Sequence, residues 1–401
     1  MKVLVADQFE KIGLDGLASL GVEVLFEPSL KEDALRDRLA ETEAQILVVR
    51  STKVTAAMID ASKLGLIIRA GAGYNTIDVA TASERGIYVA NCPGKNSQAV
   101  AELAFGLMLA ADRHIPDNVA TLREGRWNKK EFSKANGLFG RTLGIVGMGA
   151  IGQEVAARAK AFGMDVVVYS RYLSPDGAAF LGVQRAASLE ELAAKSDFVS
   201  VHTSLTDQTR GLLGASFFQA MKPGAVFVNT SRAEVVDQSA LLAAIESRGI
   251  FAALDVFDGE PAGGEGDYDG PLRTNPSVYC THHIGASTEQ AQEAVAHEVV
   301  RIVREYLSTG IAPNVVNLQK SAQATHLVVV RHADRVGVLA HVLQVLRDEG
   351  INVQEMENIV LAGAKAAIAQ IATDKAPTPN ACVTIRMNAN VFDVTVNPIA
   401  A

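Results

Sequence analysis

TLGIVGMGAIGQEVAARAKAFGMDVVVYSR, residues 142–171, is the stretch from which the rest of the chain can be read. An apolar run, LGIV, leads into Gly147-Met148-Gly149-Ala150-Ile151-Gly152. A helical stretch, QEVAARAKAFG (153–163), and a second apolar run, VVVYS (166–170), follow. Strand, G-x-G-x-x-G, helix and strand together are the setting in which this glycine spacing has physical meaning. Gly147 permits a tight turn, Gly149 lets a pyrophosphate approach the backbone, and Gly152 lets the helix pack closely. The free N–H groups of the helix N-terminus then face the phosphates. The stretch therefore predicts a dinucleotide site. An acidic residue usually ends the second strand and holds the ribose hydroxyls. Here Ser170-Arg171 stands in its place. An arginine there can pair with a 2′-phosphate or lie over the adenine, so NAD and NADP both stay open.

The same alternation extends in both directions. Downstream lie FVSVHT (198–203), AVFVNT (225–230), FAALDV (251–256) and SVYCTH (277–282). Upstream lie KVLVA (2–6), VEVLF (22–26), QILVV (45–49), LIIRA (66–70) and IYVAN (87–91), with helical stretches at 32–41 and 55–65 between them. Near-continuously apolar strands alternating with helices predict parallel sheets covered on both faces. The α/β fold class follows, with two doubly wound units (Rossmann-like or flavodoxin-like) in series. SQAVAELAFGLMLAADR (97–113) is apolar on most sides and is expected to be a buried helix. STEQAQEAVAHEVVRIVREYL (287–307) has apolar residues at helical spacing and reads as an amphipathic helix. The tail reads as a small βαββαβ, ferredoxin-like module. Its strands are expected at 326–331, 351–358, 366–373 and 392–396, and its helices at 336–350 and after Thr378-Pro379.

Composition narrows the function classes. A chain of 401 residues is long enough for two or three domains, and 48% hydrophobic against 20% charged residues excludes a disordered chain. The net charge of −8 argues against non-specific nucleic-acid binding, so an anionic ligand needs a local basic pocket. Cys92, Cys280 and Cys382 show no metal spacing, and no metal site is expected. MKVLVADQF enters a strand directly, and no apolar run reaches the ~20 residues that span a bilayer. A cytoplasmic protein without membrane contact is expected.

Three segments carry reactive side chains: NTSRAEVVD (229–237), LDVFDGEP (254–261) and THHIGAST (281–288). Arg232, Glu260 and His283 each follow a predicted strand, where ligands bind in doubly wound sheets. A cation to hold a carboxylate, a base to take a hydroxyl proton and an acid to orient that base suit chemistry on a 2-hydroxy acid. Taken singly, each has a structural reading: a surface ion pair, a solvated loop, a satisfied core histidine. Together with RAGAGYNTID (69–78), NCPGKNSQAVAE (91–102), HTSLTDQTRGLL (202–213) and MKPGAVFVNTSR (221–232), they resemble the D-2-hydroxyacid dehydrogenase family over residues 1 to about 316.

By that resemblance, Arg232 binds the carboxylate and the reacting oxygen, His283 is the base and Glu260 its partner. The substrate side takes in Arg50, Ser51, Ala72, Gly73 and Asn96, besides Arg232 and His283. The resemblance places cofactor contacts at Gly147, Gly149, Ala150, Ile151, Gly152, Ser170, Arg171, His202, Thr203, Thr230, Ser231, Arg232, Asp255, His283 and Ala286. It implies a substrate-binding domain over 1–95 and 287–316, and an NAD(P)-binding Rossmann domain over 96–286. The chain departs from the family pattern at Ser170 (usually Asp), Ser204 and His282 (usually Pro), and Ala233-Glu234 (usually Gly-Gly or Gly-x). None of these removes a reacting group.

VVRSTKVT (48–55) resembles the arginine-bearing substrate loop of the phosphoglycerate dehydrogenases in that family, one residue shorter. HADRVGVLAHVLQVLRDEGINV (332–353) resembles the ACT regulatory domain, implying such a module over 325–401. His332, Asp334 and Asn352 fall where regulated members contact serine, although Asp334 stands in place of Asn. The reading these resemblances imply is oxidation of D-3-phosphoglycerate to 3-phosphohydroxypyruvate, the first step of serine synthesis. The expected form is a homodimer or homotetramer. Two rivals are an NADPH-preferring hydroxypyruvate or glyoxylate reductase of the same family, and a non-catalytic sensor of dinucleotide and amino acid.

Overall fold

The computed structural model describes residues 1–261, 266–319 and 324–399. It divides into two units, Met1–Asn317 and Leu318–Ala401. The first holds two parallel sheets.

The N-terminal sheet comprises β1 (Lys2–Val5), β2 (Glu23–Phe26), β3 (Ile46–Val49), β4 (Leu66–Arg69) and β5 (Tyr88–Asn91), in the order β2-β1-β3-β4-β5. Every residue of β3 is buried. Alternation explains how: Leu4, Leu47, Ile67 and Val89 pack with Leu35 and Leu39 on one face. Val3, Val5, Ile46 and Ile68 pack on the other with Leu17, Val299, Ile302 and Val303. The second face is thus completed by helix Glu289–Thr309, far along the chain. That helix starts two residues later than the sequence suggests, because the Thr288 hydroxyl accepts from Ala291 N (3.2 Å). It stops at Gly310, whose φ of +74° suits a glycine.

The second sheet comprises β6 (Thr142–Val146), β7 (Asp165–Tyr169), β8 (Gln184–Arg185), β9 (Phe198–Val201), β10 (Val226–Asn229), β11 (Phe251–Leu254) and β12 (Val278–Cys280). Its order is β12-β11-β10-β9-β6-β7-β8, all parallel. The sequence analysis names six of these strands. β8, two exposed residues on the edge, carries no apolar signal. Helix Ser97–Arg113 has the expected limits and packs against β10, β11 and β12 through Ala101, Ala104, Phe105 and Met108. The strand order runs one way from β6 through β7 to β8 and the other way from β9 to β12, which places a crevice between the ends of β6 and β9. Ligands of doubly wound sheets bind at such a point.

The second unit is a four-stranded antiparallel sheet. It contains β13 (His326–Ala333), β14 (Val353–Val360), β15 (Ala366–Thr373) and β16 (Val391–Pro398), ordered β14-β15-β13-β16. Helices Val338–Asp348 and Pro379–Arg386 close its core through Val342, Leu346 and Ile385. Thr378 caps the second of these, its hydroxyl accepting from Ala381 N, and Pro379 occupies the first turn as the sequence suggests. This is the βαββαβ arrangement. Among the described residues, no helix is long and apolar enough to cross a membrane.

Candidate active site

A cleft of about 2040 Å³ lies in the first unit, lined by side chains from both parallel sheets. On its second-sheet side stand Glu260 and His283. His283 Nδ1 lies 2.7 Å from Glu260 Oε2, and Glu260 Oε1 accepts from Phe257 N (2.8 Å). Burial alone would raise the pKa of Glu260. The hydrogen bonds from His283 and Phe257, with the nearby charges of His283 and Arg232, outweigh it and hold the carboxyl below its ordinary value. A carboxylate at Nδ1 fixes the ring proton there and leaves the lone pair on Nε2. A base with its free nitrogen available is the chemical result.

Backbone geometry supports that placement. His283 has φ +53°, a left-handed conformation that non-glycine residues adopt at a cost. Asp255 holds the strained segment. Its Oδ1 accepts from Thr281 Oγ1 (2.6 Å) and Ile284 N (2.9 Å), and its Oδ2 from Gly285 N (2.8 Å). Resemblance alone puts Asp255 among the cofactor contacts. In the structure it is fully buried and both carboxylate oxygens are spent on the histidine loop.

Arg232 sits on a turn pinned by Asn229. Asn229 Oδ1 accepts from Ser231 N and Oγ (2.9 and 2.8 Å), and its Nδ2 donates to Arg232 O (2.9 Å). The guanidinium donates to Ser231 O (2.7 Å) and reaches Gly73, where a Cβ would come within 2.1 Å of Nη2. Gly71, at φ +147°, makes the same kind of room for Arg69, whose Nη1 would lie 1.5 Å from an added Cβ. The Gly71-Ala72-Gly73 loop therefore passes between two guanidinium groups.

Arg69 is a site residue that the sequence analysis missed. Its Nε is buried without a partner, and burial together with the charges of Arg232 and Arg50 pushes its pKa down to about 10. Arg50, from the loop after β3, also lines the cleft and donates to Gln292 Oε1 (3.1 Å). That loop is shaped by Asp7, also missed. One buried carboxylate accepts from Arg50 N (2.6 Å), Ser51 N (3.0 Å), Thr52 N (3.0 Å) and Thr52 Oγ1 (2.8 Å). Ala72 O accepts from Asn91 Nδ2 (2.6 Å), and Asn96 Oδ1 is buried without a partner at the start of helix Ser97–Arg113. Arg50, Arg69 and Arg232 thus form a basic pocket on an acidic protein, the local feature an anionic ligand requires.

The glycine loop follows β6. Gly147 has φ +98°, and a Cβ there would meet His202 O at 2.5 Å. A Cβ on Gly152 would meet Gly147 O at 2.2 Å, whereas one on Gly149 would meet nothing within 4 Å. The first and third glycines therefore serve the turn and the packing, and the second faces open space before the helix beginning at Ala150 and Ile151. Around this crevice, Thr230 Oγ1 and His202 Nδ1 are buried and unpartnered. His202 bonds Ser200 Oγ through Nε2 (2.7 Å), Thr203 N lies 3.2 Å from the Cβ position of Gly147, and burial pushes His202 down to about 3, so it is neutral. Buried polar groups normally find partners. Orphans beside an open glycine loop fit a dinucleotide. Ala286 lines the main cleft, and Ser170 and Arg171 follow β7 on the far side of the loop. Among the described residues, no group of three or more His, Cys, Asp or Glu could hold a metal.

In the second unit, Asp334 and Asn352 are exposed. His332 is buried, with Nδ1 2.8 Å from Ala333 O and Nε2 3.1 Å from Asn358 Oδ1. Both of its ring nitrogens are engaged inside the unit.

Comparison with known proteins agrees with this geometry. A family profile described as "D-isomer specific 2-hydroxyacid dehydrogenase, NAD binding domain" matches residues 105–285. D-3-phosphoglycerate dehydrogenase of Methanocaldococcus jannaschii is 41% identical over 326 residues, covering 80% of this chain and 60% of its own length. The chain therefore spans about 60% of the curated relatives it matches. TT0316 protein from Thermus thermophilus superposes with a TM-score of 0.70 at 36% identity, covering 79% of this chain and 100% of its own. A glyoxylate reductase from Paecilomyes thermophila has the same TM-score at 30% identity, with 79% and 98% covered.

Proposed function

The chain belongs to the D-2-hydroxyacid dehydrogenase family, and within it we propose that the protein oxidises D-3-phosphoglycerate to 3-phosphohydroxypyruvate. The observation that carries the substrate is the pair Arg50 and Arg69 lining one cleft, with Arg232 near enough to bear on Arg69 by like charge. A simple hydroxy acid has one anionic group, which Arg232 alone could hold. Two further cations match a second, doubly charged group at the far end of a short substrate.

Arg232 binds the substrate carboxylate and polarises the reacting oxygen. His283 Nε2 accepts the hydroxyl proton, and Glu260, ionised well below neutrality, stabilises the resulting imidazolium through Nδ1. A nicotinamide dinucleotide held by the glycine loop at 147–152 would supply the hydride acceptor. Asp255 and Asn229 act at one remove, by fixing the turns on which His283 and Arg232 stand. Residues of the first sheet, with Arg232 and His283 from the second, bind substrate, and the rest of the second-sheet side binds cofactor, with the segments at 93–96 and 285–288 connecting the two.

The test is the initial rate of NADH and NADPH oxidation with 3-phosphohydroxypyruvate, hydroxypyruvate and glyoxylate. The expected result is turnover that falls sharply when the phosphate is absent. Equal or better turnover of glyoxylate would replace this reading with that of a glyoxylate or hydroxypyruvate reductase.

Two partner readings go with the proposal. Helix Ile115–Arg123 buries none of its residues, and the stretch it opens exposes Trp127 (81%) and Phe139 (86%). An apolar surface of this kind is covered by a second copy of the chain, and light scattering should give twice the chain mass or more. The second unit binds an amino-acid effector such as serine, with Asp334 and Asn352 as its exposed candidates. Serine titration of the reductive rate tests it.

A further inference from the structure

The chain leaves the first sheet through residues 91–96, and helix Glu289–Thr309, from far along the chain, grips that segment at two points. Cys92 Sγ lies 3.9 Å from Val295 O, and Lys95 Nζ lies 3.1 Å from Glu298 Oε2. Glu298 is buried, and its other oxygen accepts from Asn314 Nδ2 (2.7 Å) and Arg301 Nη2 (2.5 Å). The same Asn314 donates through Nδ2 to Asn91 O (3.3 Å), and its carbonyl accepts from Asn91 N (3.3 Å). A buried carboxylate needs compensation. Arg301 and Asn314 supply it from the helix and the strand return, so Lys95, with its side chain 40% exposed, is an additional partner. What Lys95 gains from the pair is a fixed position for the residue after it. Gly94, at φ +75°, precedes it and restrains the backbone little. Asn96 follows, lines the cleft and begins helix Ser97–Arg113. An asparagine at a helix start normally spends its side-chain oxygen on the first-turn N–H groups. Asn96 makes no such bond, and its Oδ1 is buried without a partner.

We propose that Glu298 is a positioning residue for substrate binding: through its ion pair with Lys95 it sets where the Asn96 amide meets the substrate. Neither Glu298 nor Lys95 touches the reacting atoms. Their effect is carried by one peptide step, from a clamped lysine to the asparagine beside it. The inference rests on the reading of this cleft as the site of a 2-hydroxy acid, and adds to it a residue outside the cleft.

The test is steady-state reduction of 3-phosphohydroxypyruvate by the full chain with NADH, and of glyoxylate in parallel. Lys95→Met should raise KM ~10-fold with kcat little changed, because a displaced binding group is costly while the reacting pair is untouched. Its melting temperature should stay close to that of the wild type, since Arg301 and Asn314 still satisfy Glu298. Lys95→Arg should bring KM back to within about threefold of the wild type, as a single contact asks for charge and not for a planar fork. Combining Lys95→Met with Asn96→Ala should give the KM of Asn96→Ala alone, because the first acts through the second. An unchanged KM in Lys95→Met, or losses that add in the double variant, would overturn the proposal. If glyoxylate is the better substrate, the choice of substrate falls, and the same comparison made with glyoxylate decides the role of Glu298. If neither compound is reduced, the reading of the site fails and this proposal fails with it.

Discussion

The two sides of the cleft hold their charged groups in opposite ways. On the second-sheet side, His283 and Glu260 satisfy each other, Phe257 N completes the carboxylate, and Asp255 clamps the loop beneath them. On the first-sheet side, Arg69 is half-buried with its Nε buried and unpartnered, and Arg50 and Arg232 bear on it with like charge. Asp7, a carboxylate whose charge acts on Arg69, is committed to backbone N–H groups and the Thr52 hydroxyl. The proposed catalytic pair is thus already assembled without a ligand, whereas the arginine pocket leaves positive charge for an anion to match. Chemistry should be sensitive to loss of the first arrangement, and substrate choice to loss of the second.

Four changes would break or sharpen that contrast. His283→Ala removes the base and should lower kcat by ~10³-fold, within the range for general bases, while NADH fluorescence titration still shows binding. Retained turnover would remove the base from His283. Arg232→Lys keeps the charge but loses the planar fork, and should cost ~10²-fold in kcat/KM. An effect on KM alone would mean that Arg232 binds substrate without helping the reaction.

Arg69→Met is the sharpest test of the unsatisfied side. KM for the phosphorylated substrate should rise ~10-fold or more, as for the loss of a charged hydrogen bond. The melting temperature should nevertheless rise, because a half-buried cation with an unpartnered Nε and two like charges beside it is replaced by a packed apolar chain. A fall in both would mean that Arg69 is a structural residue.

The smallest effect concerns Glu298, outside the reacting groups. Hydrogen bonds from Arg301, Asn314 and Lys95 pull its carboxyl from 4.5 to about 2, against the opposing effect of burial. A depressed carboxyl stabilises the fold above its unfolded value and loses that contribution as the pH falls through the folded one. Glu298→Gln should therefore cost roughly 2 kcal/mol at neutral pH. The gap in melting temperature from the wild type should narrow between pH 4.5 and about 2. A gap independent of pH would assign the loss to packing.

Most of the fold was legible because the central strands of both parallel sheets are runs whose every residue is buried, such as Ile46–Val49 and Phe198–Val201. A polar edge pair such as Gln184–Arg185 announces nothing. The proposed reacting residues could be picked out because they follow strands in a recognisable order. Arg69 and Asp7 were not. Arg69 ends an apolar strand like an ordinary boundary residue, and what turns it into the cleft is the pair of glycines after it, with Arg232 arriving from far along the chain. Asp7 acts on a loop 43 to 45 residues away. Spacing records neither contact. Asp255 adds a contact of the same kind: its carboxylate also holds the histidine loop, some thirty residues on, through Thr281, Ile284 and Gly285.

The long helix Glu289–Thr309 supplies half the apolar layer on one face of the N-terminal sheet, through Val299, Val300, Ile302 and Val303. During synthesis, β1 to β5 leave the ribosome first, but that helix follows some two hundred residues behind β5. At a bacterial to eukaryotic elongation speed of ~5–20 residues per second, the sheet waits roughly 10–40 seconds with Val3, Val5 and Ile68 bare. The second sheet, continuous from Thr142 to Cys280, has no such delay. The nascent chain is thus most exposed to chaperones and to aggregation at its beginning. A stop introduced before residue 289 would leave a folded cofactor domain attached to a sheet that cannot close.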